Sequence, residues 1–71
     1  MELTVAYNVD STPIVIQLYR EGESTFRLYA IVDVEEQYNT LLECGTEEAV
    51  ECFRNLQIKY YGKVINKDND I

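Results

Sequence analysis

The stretch Ile14–Val34, IVIQLYREGESTFRLYAIVDV, decides the fold. Its first seven residues, Ile14 to Arg20, are rich in β-branched and aromatic side chains and read as a strand. Glu21-Gly22-Glu23-Ser24 interrupts that run with a glycine suited to positive φ. From Thr25 to Val34 the pattern resumes. Phe26, Leu28, Ala30 and Val32 fall on one side of the chain, and Arg27, Tyr29, Ile31 and Asp33 on the other. Two runs so close in sequence predict an antiparallel hairpin.

To the amino-terminal side, Leu3, Val5, Tyr7 and Val9 alternate with Glu2, Thr4, Ala6 and Asn8, the period of two of a half-buried strand. Asp10-Ser11-Thr12-Pro13 supplies turn chemistry to end it. To the carboxyl-terminal side, Gln37 to Cys44 reads as a fourth strand, with Tyr38, Thr40, Leu42 and Cys44 on one face and Leu41 opposite. After Gly45 the period changes. Thr46 is placed to cap a helix, Glu47 and Glu48 lie in its first turn, and Ala49, Phe53, Leu56 and Tyr60 form one stripe with Cys52 beside them. Gly62 suits the C′ position, with Lys59 and Lys63 near the negative end of the dipole. Leu56, Ile58 and Tyr60 also alternate, so a short helix followed by a fifth strand is the competing reading. The expected class is α+β: a four-stranded antiparallel meander with one C-terminal helix on one face, ββββα, in a single domain over 1–65 and a polar flexible tail over 66–71. At 71 residues folding buries only about 60% of the unfolded surface, so a homo-oligomer would relieve a marginal core.

One helix covers one face of a sheet. The residues expected beneath it are Leu3, Val5, Tyr7, Ile14, Ile16, Leu18, Phe26, Leu28, Ala30 and Val32, which leaves Thr4, Ala6, Val15, Gln17, Tyr19, Arg27, Tyr29 and Ile31 on the other face. For strands two and three this requires an odd-length connection such as Glu21 to Thr25, because a two-residue turn would set Ile16 opposite Tyr29 and mix the faces. Val15, Tyr19, Arg27, Tyr29 and Ile31 then form a candidate contact surface of the residue types favoured at interface centres. Tyrosines are also good strand formers, which accounts for them without any contact. A homodimer is the most economical contact.

Charge is uneven. The formal net charge of −7 resides between Arg27 and Arg54, where Asp33, Glu35, Glu36, Glu43, Glu47, Glu48 and Glu51 meet no base; outside that interval acids and bases cancel. Such a segment repels nucleic acid and attracts basic partners. In size and charge only, the chain is similar to short acidic phage inhibitors that block DNA- or RNA-handling proteins, so an acidic inhibitor or nucleic-acid mimic is the second function class. Ordinary solubility accounts for the acids more simply, and Glu47 and Glu48 already serve the helix.

Catalytic machinery is not legible. There is no histidine to act as base or to activate a nucleophile, and Ser11 and Ser24 sit in turn clusters. The isolated glycines leave no phosphate-cradling loop, and Asp68-Asn69-Asp70 lacks the spacing of a calcium loop. Cys44 and Cys52 cannot complete a tetrahedral zinc site, and two small buried thiols are favoured over a disulfide. No apolar run nears 18 residues, and Met1 to Asn8 holds an acid and no basic cluster, so a cytoplasmic protein without membrane contact is expected. The reading is a non-enzymatic module without cofactor, using the open face as a homodimer or adaptor, or forming a subunit of a larger assembly. Base stacking on Tyr19 and Tyr29 ranks last, for only Arg20 and Arg27 lie near to hold a phosphate backbone.

Overall fold

The computed structural model describes residues 1–61. They form β1 (Glu2–Val9), β2 (Thr12–Gly22), β3 (Thr25–Val32), β4 (Glu35–Glu43) and α1 (Thr46–Tyr61), with the strands in one antiparallel sheet of order β1-β2-β3-β4. The fold is the expected ββββα. Gly62, Lys63 and the boundary of the expected tail lie outside the described residues.

Hairpin geometry departs from the sequence reading in instructive ways. The β1–β2 turn is only Asp10-Ser11, so Thr12 and Pro13 belong to β2, paired with Val9 and Asn8. Pro13 is tolerated because it lies at the start of its strand, where one missing donor costs the sheet little, and its carbonyl still accepts the Asp33 N–H, at 2.9 Å. β3 stops at Val32, and Asp33-Val34 forms the next turn instead of extending the strand. Both turns have positive φ at their two central residues, 52° and 69° for Asp10 and Ser11, 52° and 62° for Asp33 and Val34. That signature fits the right-handed twist of two-residue hairpins. Gly22 carries no positive φ, contrary to the role read for it; its added Cβ would meet only the Thr25 side chain at ordinary distance.

The β2–β3 connection is odd in effect, as the faces demanded. Arg20 pairs with Phe26 and Gly22 with Thr25, so Glu21 is an extra residue bulged from β2 before the short Glu23-Ser24 turn. Ile16 accordingly faces Ala30, and Leu18 faces Leu28. A second bulge lies in β4, where Ala30 pairs with Tyr38 but Ile31 with Glu36, leaving Gln37 unmatched.

The helix runs to Tyr61, which removes the fifth-strand alternative over Leu56 to Tyr60. Gly45, not Thr46, is its N-cap: the Gly45 carbonyl accepts the first helical bond, from Ala49 N–H at 3.1 Å. The Thr46 hydroxyl instead accepts Arg20 Nη2 at 2.9 Å, tying the helix start to β2. Glu47 and Glu48 do occupy the first turn, and Lys59 the last. Ala49, Phe53 and Leu56 are buried against Ile14, Ile16, Leu18, Phe26, Leu28 and Ala30, with Leu3, Val5, Val9, Val32, Leu42 and Tyr60 at the margins. α1 lies chiefly over β2. At its far end the Tyr7 hydroxyl donates to Gln57 Oε1, and Lys59 Nζ stands 5.7 Å from the Tyr38 ring centre.

Candidate functional site

On the side of the sheet away from α1, the pleat presents Thr4 and Ala6 from β1, Val15, Gln17 and Tyr19 from β2, Arg27, Tyr29 and Ile31 from β3, and Asn39 and Leu41 from β4. The structure therefore brings together all five residues of the expected contact surface. Val15 is directly opposite Ile31, and Tyr19 is opposite Arg27. Tyr19 and Tyr29 are diagonal neighbours with ring centres 5.7 Å apart and hydroxyls 3.0 Å apart. Each of the five is half-buried by its neighbours on the sheet, and no described residue packs over them.

Polar side chains organise this face across three strands. The bulge delivers Glu21 to Arg27, whose Nε donates to Glu21 Oε2 at 3.3 Å. Arg27 Nη1 donates to Asn39 Oδ1 at 3.0 Å, and Asn39 Nδ2 donates in turn to Glu36 Oε1 at 3.3 Å. Gln17 Nε2 reaches Thr4 Oγ1 at 3.3 Å. The Glu21 carboxylate raises the Arg27 guanidinium above its already high value. The bond to Tyr29, more than desolvation, lifts the Tyr19 phenol to about 12, since the neutral form is the one held.

Sequence reasoning missed Glu21, Asn39 and Leu41 as members of this face. Leu41, 43% exposed and opposite Arg27, was legible from its position against Tyr38, Thr40 and Leu42. Glu21 was not, because a bulge leaves no signature in a side-chain pattern.

The acidic run is not one surface. Asp33, Glu35 and Glu36 gather at the β3–β4 turn, whereas Glu43, Glu47, Glu48 and Glu51 gather at the opposite end of β4 and the start of α1. The two groups are about 25 Å apart along β4. All seven are exposed, and among the described residues none forms an ion pair, the Arg27–Glu21 contact being the one such pair.

Cys44 and Cys52 are free and half-buried, a correction to the buried pair expected. Desolvation first, then Glu48 and Cys52, push the Cys44 thiol upward. Among the described residues no group of three or more His, Cys, Asp or Glu side chains could hold a metal ion, and no helix is long and apolar enough to cross a membrane. No protein-family model, curated protein or solved structure matches this chain.

Proposed function

We propose that this protein is a non-catalytic interaction module, of adaptor type, whose open sheet face docks a protein partner through Val15, Tyr19, Arg27, Tyr29 and Ile31. The observation that carries this reading is the hydroxyl-linked Tyr19–Tyr29 pair beside the Val15–Ile31 pair, on a face over which no described residue packs. Aromatic rings held in one geometry lose little entropy on contact, and a guanidinium already oriented by Glu21 and Asn39 can donate without reorganising. Glu21, Arg27, Asn39 and Glu36 form one chain of contacts on this face, with Glu2 and Glu43 at its margins, so its one cation is already held by protein acceptors. One guanidinium is too little positive charge to hold a nucleic-acid backbone, which makes the partner a protein.

Tyr29→Glu in the full chain tests this. A partner retained by the tagged protein at high salt is expected to be lost from the variant while its circular dichroism stays unchanged; undiminished retention would overturn the reading.

A second reading, the acidic inhibitor of a basic nucleic-acid-handling protein, is favoured by one observation: seven exposed acids without an ion pair among the described residues. It predicts a partner released by salt and by the combined changes Glu35→Gln, Glu36→Gln and Glu43→Gln, but retained by Tyr29→Glu.

A further inference from the structure

A meander leaves two edge strands, and this one guards them unequally. β4 carries Glu35, Glu36 and Glu43 and a bulge at Gln37, devices that discourage strand addition. β1 has neither. Its register with β2 runs unbroken from Glu2 opposite Tyr19 to Val9 opposite Thr12, and Leu3 to Val9 contains no charge and no proline.

The main-chain direction at this edge follows from one bond. Arg20 N–H donates to the Met1 carbonyl at 3.1 Å, so the odd-numbered residues of β1 exchange their bonds with β2. Glu2, Thr4, Ala6 and Asn8 therefore turn their N–H and C=O groups outward, and no described residue pairs with them.

We propose that this edge pairs antiparallel with the same edge of a second copy, with Val5 on the two-fold axis. Thr4 then lies opposite Ala6, Leu3 opposite Tyr7 and Glu2 opposite Asn8 of the second copy, joined by about eight main-chain bonds. The register with Ala6 on the axis is disfavoured because it sets Glu2 against Asp10 of the second copy. Self-complementarity selects the occupant: in this register Val5 meets Val5, Leu3 meets Tyr7 and no acid faces an acid, so a second copy of this chain of net charge −7 can approach along the uncharged Leu3–Val9 edge. Pairing would also cover Leu3 and Val5, which lie only partly buried at the core margin. The product is one eight-stranded sheet with both helices on one side and both tyrosine faces on the other. This inference stands independently of what the open face binds.

The test is light scattering of the full chain over a range of concentration and salt. A dimer is expected, favoured by salt because salt screens the repulsion. Ala6→Pro removes an outward N–H that β2 does not use, so it should give a folded monomer. Asn8→Lys, placed opposite Glu2, should tighten the dimer severalfold, and Asn8→Glu should loosen it by a similar factor. These two exposed changes keep the test valid if the proline variant unfolds. A monomer under all conditions overturns the proposal. So does a dimer indifferent to both Asn8 changes, or one abolished by Tyr29→Glu, which assigns self-association to the open face. Capture of a foreign extended peptide, with no dimer, also overturns it.

Discussion

The two faces of the sheet are built from alternate residues of the same strands, yet they have opposite characters. Ile16, Leu18, Phe26 and Ala30 are fully buried, whereas Val15, Tyr19, Tyr29 and Ile31, one step along the chain, remain half-exposed. α1 is the cause of the difference. A helix is about 10 Å across and strands lie about 4.8 Å apart, so one helix seals little more than two strands on one side. A 71-residue chain thus gathers its buried core on one side of the sheet and leaves the other half-exposed.

The largest expected effect tests that asymmetry directly. Leu18→Ala should cost about 3 kcal/mol in urea unfolding, a large share of what a domain of this size has. Tyr29→Ala, across the sheet, should cost about 1 kcal/mol. Equal losses would break the comparison.

Next in size is a gain. Val34 is β-branched, 89% exposed, and held at φ 62° by the hairpin that closes both faces. Left-handed backbone is unfavourable for such a residue, so Val34→Gly should stabilise by about 1 kcal/mol, read as a higher unfolding midpoint.

A finer probe is pH. Tyr19 titrates at about 12 against an ordinary 10, so its folded-state value is raised. The stabilisation from the Tyr29 bond is complete below pH 10 and is lost as pH rises through 12. In Tyr29→Phe the tyrosinate absorbance of Tyr19 should appear at lower pH, because the neutral phenol has lost its partner. The smallest effect belongs to the covered side, where Cys44 should alkylate more slowly at pH 8.5 than the same thiol in urea.

Much of the fold could be read locally. Alternation in Leu3–Val9, Ile14–Tyr19 and Phe26–Val32 assigned both faces, and the change of spacing at Ala49, Phe53 and Leu56 announced the helix. Strand ends were harder. Asp10-Ser11-Thr12-Pro13 is all turn chemistry, and only the pairing of Val9 with Thr12 showed that two of the four residues suffice. Val34 gave no turn signal at all, since a β-branched residue is a poor choice for positive φ. The helix cap was misread because Thr46 is a good cap in isolation, while Arg20, distant in sequence, claims its hydroxyl.

By itself the sequence determined the class of fold, the two faces and the excess of negative charge, because alternation, helical spacing and formal charge are properties of neighbouring residues. Only the tertiary structure decided the bulges at Glu21 and Gln37, the Glu21–Arg27–Asn39–Glu36 chain they permit, the splitting of the acids between two ends of β4, and the unguarded outer edge of β1. Each of these depends on which strand lies beside which and in what register. Register is fixed by the packing of the whole sheet against α1, since a slip of one residue would turn Leu18 and Phe26 out to water.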